Sequence, residues 1–339
     1  YKKHRPVVAH EDGKVLKLND TLGLHPSLGG MKTLYDEKKV AIVQNAGYPE
    51  ANRSHFRSME IWQTAVSKGS SRDGWLGRFL DGQIAAHGPL NPVVALALST
   101  EKPKALDGQV VSVPCFASLA DVQNMVGDAD AEKMLRDIQG MDAMQGSATR
   151  AVQQASKTAL DAMSQLKKQT AGYENKSKYG TDSFGNGFRQ IAQLIATCPS
   201  TRVVYFSTGG FDTHANQKDS HAKLMQGMGD ALLAFQREME AIGKADKVVV
   251  LVFSEFGRRV GENSTAGTDH GSAGPMFLVG SRVKGGIHGP NPDLANLDNG
   301  DVRMTQDFRG VYSATLDGWM GGDAGRILSG KFDAPALYL

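Results

Sequence analysis

Cysteine is almost absent. The 339 residues contain two, Cys115 and Cys198, which rules out a disulfide framework and a thiolate metal site and leaves either one disulfide or two buried thiols. Long hydrophobic runs are missing as well. None approaches the ~20 residues that a membrane-spanning helix needs. Neither sign of charge is in excess. The formal net charge of +2 provides no broad basic surface, so a nucleic-acid partner is not indicated. Internal repeats and low-complexity tracts are lacking. The chain opens on Tyr1 instead of Met and shows no signal peptide, so a processed or trimmed chain is expected and composition leaves the compartment open.

What is present is ordinary globular material: 40% hydrophobic and 22% charged residues, with length enough to bury a full core. Short apolar runs at Val40–Val43, Val93–Leu98, Val110–Val113, Val203–Phe206, Val248–Phe253 and Met276–Val279 have the length and β-branched content of buried strands. Between them, apolar residues recur at helical spacing in Leu22–Lys39, Phe56–Val66, Gly74–His87, Phe184–Ala196, His221–Ile242 and Asp307–Met320. The opening, Tyr1–Asp20, reads as an arm or hairpin, and Lys284–Asn299, rich in Gly, Pro, Asn and Asp, as an exposed loop. From Leu119 to Lys178 strand-like runs vanish. Ala, Gln, Lys, Asp and Met dominate, with Met125, Met134, Met141, Met144 and Met163 reading as core filler. This segment is expected to be a helical insertion or cap. The alternation predicts one α/β domain over residues 1–339, with a mainly parallel sheet and helices on both faces.

The chemistry-bearing residues gather at predicted strand ends, where open α/β sheets place their ligands. Asp212 and His214 follow the strand RVVYF, Ser254 and Glu255 follow VVVLVF, and Asp269 and His270 precede PMFLV. Carboxylate oxygen and imidazole nitrogen suit zinc or another first-row divalent ion. Each Asp–His pair alone also reads as a surface ion pair, and Asp269 as a brace for His270. Glu255 reads as a ligand, a general base or a partner of Arg258 and Arg259. Asn52-Arg53-Ser54-His55-Phe56-Arg57 joins a hydroxyl, an imidazole and two guanidiniums at a predicted helix start, a setting that favours anions. A plain N-cap at Ser54 with solvated neighbours explains the same residues. His25 has no partner in view, and His288 reads as a solvated loop residue or a further ligand.

The strings LHPSLGGMKTLYDEKKVAIVQNAGY, NRSHFRSMEIW, GGFDTHANQ, SEFGR and GTDHGSAGPMFLVG resemble the domain-of-unknown-function family 1501, bacterial proteins usually exported with a twin-arginine signal. The order of these motifs is similar to that of the alkaline phosphatase and sulfatase superfamily. That resemblance implies an alkaline phosphatase-like fold, a periplasmic or secreted location, and a hydrolase of phosphate or sulfate esters on a small-molecule or polymer substrate. Ser54 stands at the nucleophile position, Glu255 in place of an expected Asp, and Asp212, His214 and His270 at metal positions, with zinc the first candidate. Read from the local residues, Glu255 is expected to be catalytic, Asp269 to join the metal set, and Asn52, Arg53, His55 and Arg57 to bind substrate. Two departures accompany the resemblance. Phe256 replaces a metal histidine, and the family's Gly-Gly-x-Asp-Gly-like first strand would lie before Tyr1. They leave a second expectation open: a cell-surface binding or assembly protein with a degenerate metal site.

Overall fold

The expected alternation of strands and helices is present, but it builds separate sheets in place of one. The computed structural model describes residues 1–125, 133, 136–137 and 148–339. In chain order the elements are β1 (Leu16–Lys17), β2 (Gly23–Leu24), α1 (Gly29–Asp36), β3 (Val40–Gly47), α2 (His55–Thr64), α3 (Trp75–His87), β4 (Ala95–Leu98), β5 (Cys115–Phe116), α4 (Leu119–Met125), α5 (Ala148–Thr170), α6 (Ser183–Thr197), β6 (Val203–Phe206), α7 (Gln217–Ala241), β7 (Val250–Val252), β8 (Gly274–Val279), β9 (Gly286–His288), β10 (Gln306–Asp307), α8 (Phe308–Thr315) and α9 (Ala324–Ile327). They fall into two compact units, one of Tyr1–Ser70, Lys176–Phe188 and Thr208–Leu339, the other of Ser71–Asn175 and Arg189–Ser207.

The first unit is built on β3, buried along its whole length. Its sheet runs β10-β3-β8-β7, with β9 also paired to β3. β8 lies antiparallel to both β3 and β7, while β9 and β10 lie parallel to β3. The sheet is therefore mixed, and the expected mainly parallel, alkaline phosphatase-like sheet does not form. A continuous apolar run reports that a strand is buried on both faces, and says nothing of its direction. Parallel neighbours need a crossover, usually a helix, and no helix lies between β7 and β8. The chain turns back there through a loop, and that loop carries the residues of interest. The loop expected at Lys284–Asn299 likewise contributes β9 to the sheet.

α2 is anchored by its inner face. Ser58, Ile61 and Trp62 are buried, and the Trp62 ring stacks on Phe253 at 5.4 Å and on Phe308 at 4.2 Å. Removing so large a buried ring costs about 3–5 kcal/mol, so the register of α2 is well held. His55, seven residues before Trp62, is carried on the same side two turns earlier.

The second unit holds a three-stranded sheet, β5-β4-β6, parallel throughout. Val203–Phe206 thus belongs to a different sheet from β7, contrary to the single sheet expected. Val110–Val113 forms no strand; the pairing falls on Cys115–Phe116 instead. Cys115 and Cys198 are free thiols. Of the expected helical insertion, Leu119–Met125 and Ala148–Thr170 are helical, and Met163 is buried. Met134, Met141 and Met144 lie outside the described residues. Among the described residues no helix is long and apolar enough to cross a membrane.

Candidate metal centre

Five segments of the first unit bring the site together: the start of α2, the loop after residue 208, the turn after β7, the loop before β8, and the turn before β10. Two glycines in the SEFGR and GTDHG strings make the approach possible. A Cβ on Gly257 would stand 2.0 Å from the Ala273 carbonyl oxygen, and one on Gly271 would stand 2.6 Å from the Arg258 carbonyl carbon. With both positions bare, Gly257 N–H donates to the Ser272 carbonyl and Gly271 N–H to the Gly257 carbonyl. Arg258 and His270 then form an antiparallel bridge. The two strings are thereby clamped to each other, which fixes where Glu255, Asp269 and His270 stand.

Asp212 is the centre of the cluster. Its Oδ1 lies 2.9 Å from His214 Nε2 and 2.9 Å from His270 Nε2, and those two nitrogens are 2.9 Å apart. His55 Nε2 is buried without a hydrogen-bond partner and lies 3.3 Å from Asp212 Oδ2. His55, Asp212 and His270 present ligand atoms within 4.8 Å of one another. Arg258 donates to Asp212 Oδ1 at 2.7 Å and to the Thr268 and Phe211 carbonyls at 2.9 Å each.

Each of the three rings is held from behind by an oxygen acceptor. His55 Nδ1 lies 2.6 Å from Glu255 Oε1, His214 Nδ1 lies 3.0 Å from Asp269 Oδ1, and His270 Nδ1 lies 2.8 Å from the Arg53 carbonyl oxygen. A carbonyl and ionised carboxylates only accept, so each Nδ1 carries the proton. A neutral ring so held presents a bare lone pair at Nε2. The three Nε2 atoms face the Asp212 carboxylate, where Arg258 also donates.

The carboxylates are ionised. Burial pushes the Asp212 carboxyl up, but Arg258 and His270 outweigh it and hold it well below the usual carboxylate range. Burial likewise raises the Glu255 carboxyl, and the bonds from His55, its own backbone N–H and Ser254 outweigh that and lower it. The Asn263 amide and His214 lower Asp269.

The donor set fits a divalent first-row ion. Nitrogen and oxygen ligands at about 2.0–2.2 Å from one ion lie about 3 Å from each other, and imidazoles backed by carboxylate or carbonyl oxygens are the usual form of such ligands. Phe256, at the position where a histidine was expected, packs its ring 4.9 Å from His55 and 4.5 Å from His270. It supplies an apolar wall and no donor atom. The side chains of Asp212 and Asp269 are 48% and 53% exposed, so the cluster opens to solvent on their side.

Of the residues singled out from the sequence, Asp212, His214, Asp269, His270, Glu255 and His55 meet here. Their roles shift: His55 joins the inner set, and Glu255 and Asp269 brace imidazoles. Arg53 joins through its carbonyl, while its guanidinium pairs with Asp301 at 2.6 Å. Asn52, Ser54 and Arg57 make no side-chain hydrogen bond or ion pair to the cluster among the described residues. Asn52 accepts from the Ser54 N–H, and Arg57 binds Glu60 and the Gly69 carbonyl. Ser54 is the exposed, extended N-cap of α2, and its hydroxyl makes no capping bond. His288 is bound at Nε2 to the Lys284 carbonyl. Asp301, buried to 4% side-chain exposure, adjoins the site through Arg53 and is not singled out by the sequence. Its only local signal is the DNGD turn in which it sits.

The site is thus a histidine–carboxylate centre carried at the edge of a mixed sheet. The family model described as "Protein of unknown function (DUF1501)" matches residues 5–331, and the chain belongs to that family. No curated protein and no solved structure matches the chain.

Proposed function

We propose that the cluster holds a divalent metal ion, zinc first among the candidates, and that the protein hydrolyses phosphate or sulfate esters. The observation that carries this reading is the convergence of three Nδ1-braced imidazoles on one ionised carboxylate. Bound there, the ion would polarise an ester oxygen or lower the pKa of a hydroxyl or water.

The surrounding charge supports an anionic substrate. Asp212, Glu255, Asp269 and Asp301 face Arg53, Arg258 and Arg259. With neutral imidazoles the cluster carries one net negative charge, and a divalent ion turns it to one net positive. Among the described residues the partly exposed Arg53 guanidinium is tied at one nitrogen, which leaves its other donors to receive an oxyanion. Ser54, at the start of α2, sits where backbone N–H groups favour a developing negative charge and serves as the nucleophile in this reading. The order of motifs, which resembles that of the alkaline phosphatase and sulfatase superfamily, supports the same role. The export usual in the family supports a periplasmic or secreted location.

Two observations favour a second reading. The Ser54 hydroxyl has no bond to a base, and Phe256 fills a position where a ligand was expected. A binding or assembly protein with a single bound ion accounts for both. Elemental analysis of the purified protein comes first, followed by turnover of p-nitrophenyl phosphate and p-nitrophenyl sulfate. The hydrolase reading expects bound metal, turnover of one ester, and loss of that turnover in Ser54→Ala with metal retained. Bound metal with no turnover selects the binding protein. A protein that takes up no ion at millimolar zinc or manganese refutes the metal centre.

A further inference from the structure

The geometry points to Asp301 as the positioning residue that holds His270 in its ligand tautomer. This rests on the reading of the cluster as a metal centre. Asp301 touches none of the imidazoles. It acts through the two segments that hold His270 from either side.

The first is Arg53. Asp301 Oδ2 accepts from Arg53 Nη2 at 2.6 Å, and the Arg53 carbonyl accepts from His270 Nδ1 at 2.8 Å. The second is the Arg258–Arg259 segment. Asp301 Oδ1 lies 3.5 Å from Arg259 Nε, Arg259 N–H donates to the Asp269 carbonyl at 3.0 Å, and Arg258 bridges to His270. One carboxylate therefore ties down both the oxygen that fixes the ring's proton and the backbone that fixes the ring's origin.

The turn that presents Asp301 is built for this. Asp298 and Asp301 exchange both backbone hydrogen bonds at 2.9 Å, with Asn299 at φ 51° and Gly300 at φ 88°. Two central residues at positive φ are the signature of the type I′ turn, for which Asn-Gly is the preferred pair. The Asn299 carbonyl accepts from Arg259 Nη2, and the Gly300 carbonyl accepts from Val260 N–H at 3.1 Å. Asp301 is 4% exposed, and its Oδ1 is buried with no hydrogen bond. Leaving a buried carboxylate oxygen unbonded is costly. The compensation is electrostatic, from two guanidiniums on the two segments being joined.

The test uses Asp301→Asn, which keeps the volume and removes the charge, and Arg53→Gln, which keeps the carbonyl and removes the guanidinium. Two readouts are taken: metal affinity by competition with a chromophoric chelator, and the His270 tautomer by nitrogen-15 NMR of the metal-free protein. The expected result is a metal affinity about 10–100-fold weaker in both variants, the usual cost of losing an outer partner, and a mixed tautomer at His270. Glu37→Gln, which breaks the ion pair with Arg237, serves as the control and leaves both readouts unchanged. Should Asp301→Asn fail to fold, Arg53→Gln decides. An Nδ1–H tautomer retained in the folded variants overturns the proposal, whether or not metal binds. A wild-type protein that binds no ion refutes the metal reading while leaving the tautomer result to judge Asp301.

Discussion

Two groups of three histidines lie in the same unit, and they are opposites. His55, His214 and His270 each turn one nitrogen to an oxygen acceptor and the other to Asp212. His10, His25 and His221 stack edge to face, with ring centroids 4.3 Å and 5.5 Å apart, and no carboxylate bonds to them in any contact among the described residues. Their charged neighbours are cations: Lys218 beside His10, and Arg5 and Arg258 beside His221. His25 Nδ1 accepts from the Ser27 N–H, which places its proton on the buried, unpartnered Nε2. Burial and then the neighbouring cations push His221 down to about 4, and burial and then the two other imidazoles push His25 down to about 4. The same side chain is braced toward a carboxylate in one place and is a neutral packing ring in the other. What separates them is whether oxygen acceptors or cations stand beside the ring.

The contrast breaks first at Asp212. Asp212→Ala should weaken metal binding by more than about 100-fold, since an outer partner alone is worth about 10–100-fold, while His25→Asn should leave metal content unchanged. Elemental analysis of both variants checks this, and metal lost from His25→Asn would erase the distinction. The braces come next. Glu255→Gln and Asp269→Asn should each weaken binding by about 10–100-fold, measured by chelator competition, with the melting temperature little changed.

Acid sharpens the contrast. The folded protein keeps His25 and His221 neutral down to about pH 4, whereas the unfolded chain protonates them near 6.5. Below 6.5 the unfolded state therefore binds more protons, and stability falls as pH drops from about 6.5 toward about 4. Asp212 and Asp269 are lowered from 3.8 and Glu255 from 4.5, so their contributions hold through most of that window, that of Glu255 beginning to fade near 4.5 and those of the aspartates lower. A series of melting temperatures from pH 7 to pH 4 should show the decline, and His221→Phe should remove part of it. A melting temperature that holds level across this range in the wild type would contradict the assignment. The smallest effect belongs to Lys218→Gln, which should raise the His10 titration midpoint only slightly, because a solvent-screened charge acts weakly. An NMR titration of His10 checks it.

Much of the candidate site is legible in the sequence. Asp212, His214, Asp269 and His270 stand where strands end, and the SEFGR and GTDHG glycines mark close backbone approach. The inward place of His55 is written in its spacing as well. With Ser58 and Trp62 it forms an i, i+3, i+7 row, and that row faces inward. The Glu255–His55 and Asp269–His214 pairings are not legible, because each joins residues far apart in the chain through a side-chain contact that no local pattern encodes. The same holds for Asp301, and for His10, which meets His25 and His221 only through the path of the N-terminal arm.

By itself the sequence determined where most strands and helices form, because burial and periodicity are local properties of the chain. It determined the family as well, through motifs in a fixed order over residues 5–331. Strand direction was decided only in three dimensions. β8 turned back on β7 because the intervening loop has no helix to carry a crossover, and β6 went to a sheet of its own with β4 and β5. The tertiary structure also decided which histidines face a carboxylate and which face cations. A residue's charge environment is a sum over neighbours from distant segments, and those neighbours exist only once the chain has folded.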